Sequence, residues 1–102
     1  MIHVIAALTT APGKRDELIE AFKQVAPTVR AEDGCIEYNA AVDVQTPLDG
    51  QSDLRDDVLT VVEKWESIDA LKAHLATSHM EQFFTAMGDV ITGVSLQVLS
   101  PV

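Results

Sequence analysis

The order in which hydrophobic periodicity changes along the chain is the feature that most constrains its fold. Apolar residues alternate with a period of two over residues 2–9, about 35–44, 58–65 and 94–99. Between the first two of these stretches, and between the last two, apolar residues recur three or four positions apart, which is typical of helices. The order β-α-β-β-α-(α)-β is the ferredoxin-like split β-α-β arrangement. We therefore predict a single α+β domain over residues 1–102, a four-stranded antiparallel sheet with helices on one face.

Local signals predict where the helices begin and end. Pro12 suits the first turn of the first helix, and Pro27 should kink that helix or end it early. The spacing of Ser78 and Glu81 is that of a capping box and predicts the start of a third helix, which Gly93 should end. The apolar residues expected on this third helix are Phe83, Phe84, Met87 and Ile91.

Both faces of the predicted sheet carry apolar side chains. In the first strand Val4 points to one face and Ile5 to the other. In the second strand alternation places Ile36 and Tyr38 on one face and Cys35 on the opposite face. Helices cover only one face of an open sheet, and the second face is too apolar to remain in water. Burial would stabilise a face-to-face pair by about 25 cal/mol per Å². We expect a homodimer.

The charge balance narrows the choice of partners. Against 7 Lys and Arg the chain carries 16 Asp and Glu, a net charge of −9, which repels nucleic acids and anionic membranes. No apolar run reaches the ~20 residues that a membrane span needs, so we expect no membrane insertion. The lone Cys35 permits no internal disulfide and favours a reducing compartment. We expect a cytoplasmic protein whose first residues form a strand rather than a signal peptide.

The third predicted strand places a carboxylate among apolar residues. By period two, Leu59, Val61, Glu63 and Trp65 share one face. Desolvation there should raise the pKa of Glu63, as suits a general acid or base. The alternative is a pleat shifted by a bulge, which would turn Glu63 towards a basic residue at a sheet edge. Trp65 is either core or the wall of a pocket for a flat aromatic ligand.

Two histidines follow this strand. His74 and His79 are five residues apart, with a predicted helix break between them, whereas the zinc-protease pattern needs a spacing of four on one helix face. We therefore expect no metal site. His79 lies in a first helical turn, where a neutral imidazole is favoured, and His74 borders the core. Each is equally well explained as an ordinary polar or packed residue. No glycine-rich phosphate cradle is present, so no classical cofactor is expected.

Residues 45–57, QTPLDGQSDLRDD, connect the second and third strands. Their composition predicts a solvated hairpin loop. A loop of this length could also reach a partner subunit or cover the mouth of a pocket.

Three stretches together resemble one protein family over nearly the whole chain. They are MIHVIAALTTAPGKRDEL, APTVRAEDGCIEYNAAVD and EKWES-DALKAHLATSHMEQF. The family is the antibiotic biosynthesis monooxygenase family, and the branch is that of the bacterial quinol (menadiol) monooxygenases. The resemblance implies a dimeric α+β barrel that oxygenates electron-rich phenols or quinols with O2, without metal or flavin.

The resemblance also implies site residues. Trp65 matches the pocket tryptophan of the family, and the positions common in the quinol branch are matched by Tyr38, Glu63, His74 and His79. Polyketide-oxidising members carry Asn where this chain has Val61, and haem-degrading relatives carry Asn where it has Ala7, which argues against both chemistries. Asn39 is the candidate for a side-chain amide that takes the place of these missing Asn residues.

The leading hypothesis is a cofactor-independent monooxygenase acting on a small aromatic quinol or polyphenol with O2. Glu63 or His74 would accept the substrate proton. The ring-binding wall would be formed by Trp65, Phe83, Phe84 and Met87. One rival is an isomerase of a phosphorylated dicarbonyl signalling molecule, which needs no oxygen. The other is a non-catalytic dimeric protein that sequesters a quinone.

Overall fold

A computed structural model describes all residues of the chain, 1–102, as a four-stranded sheet with three helices. The strands are β1 (Ile2–Thr10), β2 (Cys35–Ala41), β3 (Val58–Trp65) and β4 (Ile91–Leu99). The helices are α1 (Arg15–Arg30), α2 (Ile68–Leu75) and α3 (Ser78–Ala86). The strands are all antiparallel in the spatial order β2-β3-β1-β4. The predicted ferredoxin-like arrangement is confirmed.

The central strands β1 and β3 form the floor of the core. Their register pairs Ile2 with Trp65 and Val4 with Glu63, so the buried side chains of both strands point to the same face. Val4 and Trp65 are fully buried, and helix α1 packs Leu18 against this face. The strand periodicity in the sequence therefore sets which residues the helices cover.

Helix α1 differs from its prediction at both ends. It begins at Arg15, so Pro12 lies in the preceding turn, because Gly13 has φ +76° and cannot be helical. It also runs past Pro27 to Arg30. Pro27 lies on the exposed side, where water can satisfy the carbonyl that loses its donor, while Ala26 and Val29 bury the opposite side. The expectation that Pro27 ends the helix early is wrong.

The N-cap of α3 lies one residue before the predicted Ser78, and no capping box forms, because Met80 stands where the box needs Glu or Gln. Thr77, with extended backbone angles, caps α3 by accepting a hydrogen bond from the backbone N–H of Met80, and Ser78 is the first helical residue. Helix α3 ends at Ala86, so Ile91 and Gly93 belong to β4 instead. The backbone N–H of Met87 closes the helix with an α-type hydrogen bond to Phe83, and that of Gly88 makes a 3₁₀-type bond to Thr85, before β4 pairs with β1.

A bulge in β2 overturns the predicted faces of its first residues. The register against β3 skips from Cys35 opposite Trp65 to Glu37 opposite Lys64. Cys35 therefore packs against the core on the same face as Tyr38, while Ile36 is 51% exposed. The strand also ends at Ala41, shorter than the predicted end near residue 44.

Residues 42–57 form a loop without strand or helix, as predicted. Arg55 makes a two-pronged ion pair with Asp43, and Asp57 accepts a hydrogen bond from the backbone N–H of Gly13. These contacts fold the loop on itself and fasten its end to the turn before α1.

Strand β4 is the least covered part of the sheet. Its side chains on the helix side, Val94, Leu96 and Val98, remain 50%, 47% and 48% exposed. On the opposite, open face of the sheet, Ile5 and Val62 lie side by side on the two central strands and are partly buried. None of the three helices is long and apolar enough to cross a membrane.

Candidate active site

A small apolar cavity lies between the helix side of the sheet and the three helices, with β4 as one wall. Its volume is about 70 Å³. All seven elements of the fold contribute side chains to it. The lining residues are Ala6, Leu8, Phe22, Tyr38, Val61, Glu63, His74, Leu75, Met80, Phe83, Phe84, Val94 and Leu96. Apart from Glu63, His74 and the hydroxyl of Tyr38, this lining is apolar. No Lys or Arg lines the cavity.

Glu63 carries the carboxyl group of the cavity. It is only 5% exposed, and its Oε1 accepts a hydrogen bond of 2.8 Å from Nε1 of Trp65. Burial raises the pKa of Glu63 to about 6, although the Trp65 hydrogen bond acts in the opposite direction. The carboxyl therefore exchanges a proton close to neutral pH, in the range useful for acid–base chemistry.

His74 carries the imidazole of the cavity and is 1% exposed. Its ring lies 4.6 Å from that of Trp65 and 5.5 Å from that of Tyr38. Nδ1 is 2.8 Å from Oε2 of Glu32. Burial lowers the pKa of His74, opposed by the hydrogen bond and charge of Glu32. The ring is therefore neutral at neutral pH and able to accept a proton.

Tyr38 adds a hydroxyl beside these two groups. Its Cα is paired with that of Glu63 across β2 and β3, so the two side chains share the cavity face. The ring stacks on Phe22 at 5.3 Å, which holds it in place. Burial, with a smaller effect from the neighbouring Glu63 carboxylate, raises the pKa of Tyr38. Its hydroxyl therefore stays protonated and can donate a hydrogen bond.

Glu32 joins both histidines outside the lining of the cavity. Its Oε2 is 2.8 Å from Nδ1 of His74 and 2.8 Å from Nε2 of His79. One ligand atom from each of the three residues lies within 4.8 Å of the others, a two-histidine, one-carboxylate set that could hold a metal ion. A spacing of four on one helix face is therefore not needed for both histidines to reach one carboxylate. The break between α2 and α3 turns both rings towards the same carboxylate.

The cavity brings together five of the predicted site residues. Glu63, His74, Tyr38, Phe83 and Phe84 all line it. Period two on β3 predicted Glu63, and the helical stripe of α3 predicted Phe83 and Phe84, whereas Tyr38 and His74 were implied as site residues by the family resemblance.

Four predicted residues lie outside the lining of this cavity, and their part in a site stays a prediction. Trp65 is fully buried behind Glu63 and His74 and does not reach the cavity. Asn39 points to the open face of the sheet, where its Oδ1 accepts a hydrogen bond from Arg30. Met87 is the C-terminal cap of α3, beyond the cavity. His79, in the first turn of α3, hydrogen-bonds to Glu32 and lines a separate cavity between α1 and α3.

Sequence reasoning missed Glu32 altogether. It lies 42 and 47 positions from the histidines that it contacts, in a turn whose EDG sequence signals only the end of a helix. The β4 residues Val94 and Leu96 were predicted as strand residues, and no signal marked them as cavity wall. The loop of residues 45–57 supplies no lining residue, so it does not cover the cavity within this chain.

Comparison with known proteins adds an independent line of evidence. The profile of the family described as antibiotic biosynthesis monooxygenase matches residues 1–86. The Escherichia coli protein named probable quinol monooxygenase YgiN is 35% identical to this chain, over 99% of this chain and 98% of that protein. Rv0793 from Mycobacterium tuberculosis has a structure with a TM-score of 0.79 and 27% identity, covering 99% of this chain and 94% of that one. PA3566 from Pseudomonas aeruginosa, at 24% identity, has a TM-score of 0.81 over 99% and 93%.

Proposed function

Since this chain belongs to the antibiotic biosynthesis monooxygenase family, we propose that it is a quinol monooxygenase that uses O2 and needs neither metal nor organic cofactor. The observation that carries the proposal is the cavity, where an imidazole, a carboxyl and a phenol hydroxyl converge within apolar walls. Such walls exclude water from a reactive anion, and the three polar groups can bind the two hydroxyls of a quinol.

In this proposal His74 accepts the phenolic proton. The ring is neutral, faces the cavity and is backed by the Glu32 carboxylate, which stabilises the imidazolium that forms. Glu63 accepts a hydrogen bond from the second hydroxyl of the quinol, and Tyr38 donates to a substrate oxygen. The sequence left Glu63 and His74 as equal candidates for the base, and the carboxylate behind His74 favours the histidine.

The chemistry then follows from the electron-rich anion. The quinolate gives one electron to O2, and the semiquinone and superoxide so formed combine at a ring carbon as a peroxide anion. The proton held by His74 converts this anion to the hydroperoxide and leaves the imidazole neutral. Loss of water from this hydroperoxide leaves a carbonyl that enolises to the hydroxyquinone. The overall balance is quinol plus O2 to hydroxyquinone plus water. The ring loses four electrons, and O2 takes them up as one hydroxyl oxygen and one water.

The size of the cavity sets a condition on the substrate. Typical ligand pockets hold roughly 300–1,000 Å³. The cavity of about 70 Å³ is well below this range. A quinol ring must therefore widen it. The lining residues with exposed side chains, which form the rim, are Leu75, Phe84, Val94 and Leu96. Because these side chains are exposed, we propose that the ring enters between β4 and the helices.

The proposed active protein is a homodimer. The open face of the sheet carries Ile5, Ala7 and Val62 at the centre of its two middle strands, surrounded by polar residues. Pairing of this face with a second copy would bury these side chains and leave the cavity rim free. A phosphorylated substrate, as in the isomerase alternative, is disfavoured because no Lys or Arg lines the cavity to neutralise a phosphate.

The test is O2 consumption with menadiol and related quinols, with product identified by mass. We expect turnover above the spontaneous rate, a loss of about 100-fold in His74→Ala and about tenfold in Glu63→Gln. Glu81→Gln, which removes an exposed carboxylate from α3, is the control and should be unchanged. Activity on a dicarbonyl under nitrogen, or tight quinone binding without turnover, would contradict the proposal. Unchanged rates in both cavity variants would contradict the residue assignment.

A further inference from the structure

One carboxylate oxygen holds two imidazole rings that belong to different helices. Oε2 of Glu32 contacts both at 2.8 Å, and its side chain is only 12% exposed. Glu32 lies in the turn between α1 and β2, which approaches α2 closely. A Cβ on Gly34 would come within 2.6 Å of Cβ of Ala70, so only glycine permits this approach. A side chain at position 34 would push this turn away from α2. Gly34 therefore allows the Glu32 carboxylate to contact His74.

The contact determines which nitrogen of His74 carries the proton. A carboxylate oxygen accepts hydrogen bonds, so the 2.8 Å contact with Oε2 of Glu32 assigns the proton of the neutral ring to Nδ1 of His74. Nε2 then has a free lone pair. Nε2 makes no hydrogen bond within the chain. Every fully buried side-chain nitrogen and oxygen has a hydrogen-bond partner, so Nε2 is not fully buried. Because His74 lines the cavity and its Nδ1 is turned towards Glu32, we assign the Nε2 side of the ring to the cavity.

His79 completes the arrangement from the solvent side. Its side chain is 25% exposed, and it supplies the second donor to Oε2 of Glu32. Two donors on one oxygen fix the position of the carboxylate more firmly than one, since Glu32 makes no other side-chain hydrogen bond. The motif HLATSH thus places one histidine at the cavity and the other behind the carboxylate that orients it.

We propose that Glu32 is the positioning residue of the cavity base. It holds His74 as the Nδ1–H tautomer with Nε2 towards the substrate, and it balances the charge when Nε2 takes up a proton. His79 holds Glu32 in place. One bond breaks and one forms in this step: the O–H bond of the substrate breaks and an Nε2–H bond forms, while Nδ1–H remains on the ring. The catalytic part of this inference depends on the proposed function.

The first test needs no substrate. Long-range ¹H–¹⁵N spectra of the histidine-labelled protein report which ring nitrogen is protonated. We expect the Nδ1–H tautomer for His74 in the unaltered protein and a fall of its share in Glu32→Gln. The matched control, Asp33→Asn, removes a neighbouring exposed carboxylate and should leave the spectrum unchanged. An Nε2–H tautomer in the unaltered protein would overturn the inference.

The second test measures turnover. Because Glu32 does not line the cavity, Glu32→Gln should lower kcat at least about tenfold and leave KM within about twofold, with Asp33→Asn unchanged in both. An unchanged kcat in Glu32→Gln would overturn the positioning role. If no quinol is oxidised but the tautomer still depends on Glu32, the proposed function fails and the positioning of His74 stands.

The same three side chains could instead be metal ligands, and the spectra separate the two cases. A metal on Nδ1 of His74 would displace its proton. If Zn²⁺ at micromolar concentration removes the Nδ1–H signal and chelation restores both the signal and lost activity, the site is inhibited by metal and the inference holds. If chelation of the purified protein abolishes activity that Zn²⁺ restores, the cluster is a metal centre and the inference is overturned.

Discussion

At Glu63, burial and a hydrogen bond act on the same carboxyl in opposite directions. The apolar surroundings favour the neutral acid, whereas the N–H of Trp65 favours the carboxylate. Burial prevails, and the pKa of Glu63 rises from 4.5 to about 6. The folded protein therefore holds the proton of Glu63 more tightly than the unfolded chain does. The stability that Glu63 contributes is present at low pH and is lost as pH rises from about 4.5 to 6.

We predict a pH-dependent gain in stability on Glu63→Gln. A rise of pKa from 4.5 to about 6 corresponds to about 2 kcal/mol, at about 1.36 kcal/mol per pH unit. Relative to the unaltered protein, the unfolding free energy of the variant should therefore increase by about 2 kcal/mol between pH 4 and pH 7. Urea denaturation at fixed protein concentration measures the difference.

The Glu81→Gln control should show no such change, because Glu81 is exposed. The lowered pKa of His74 acts in both proteins, and its contribution cancels in the difference. A difference that is independent of pH would mean that Glu63 is not desolvated in the folded protein.

At the scale of elements, the junction of α2 and α3 decides the direction of both histidine rings. Thr77 accepts a hydrogen bond from the backbone N–H of Met80 and donates one to the carbonyl of His74. One side chain thus closes α2 and starts α3, and it fixes the angle between the helices that carry His74 and His79.

We predict that Thr77→Ala lowers the unfolding free energy by about 1 kcal/mol, because α3 loses its N-cap. Thermal or urea unfolding measures the loss. Ser78→Ala is the matched control and should change the unfolding free energy by less than about 0.5 kcal/mol, since Ser78 is the first helical residue and not the cap. A larger loss of unfolding free energy in Ser78→Ala than in Thr77→Ala would contradict Thr77 as the N-cap and support the capping box predicted from the sequence.

At the scale of the whole molecule, the sheet has one face that no element of this chain covers. The pair Ile5 and Val62 stands at its centre. The helix side is different: its uncovered apolar residues on β4 form part of the cavity rim. The two apolar surfaces therefore suit different roles, the open face for a second subunit and the rim for substrate entry.

We predict that sedimentation equilibrium gives twice the chain mass of 11.1 kDa. Ile5→Lys should shift the protein towards the monomer, because a buried ammonium in the paired faces would lack a partner. Ile68→Lys is the control, because Ile68 is 55% exposed on α2, away from the open face, and should leave the dimer intact. A monomer in the unaltered protein would contradict this interface and the predicted dimer.

The sequence by itself determined the element order and the buried face of each central strand. These follow from periodicity, because a period of two or of 3.6 residues fixes which side chains share a surface whatever lies opposite. For that reason the place of Glu63 on the helix side of β3 was predictable, and so was the shared location of Phe83 and Phe84.

Only the tertiary structure decided which side chains meet. The bulge that turns Cys35 inward, the approach of Gly34 to α2 and the contact of Glu32 with two rings all depend on distances between elements remote in sequence. Local patterns carry no information on such distances, because they arise from packing and loop closure across the whole chain. For the same reason the sequence did not show that Trp65 is fully buried behind Glu63 and His74 and does not line the cavity.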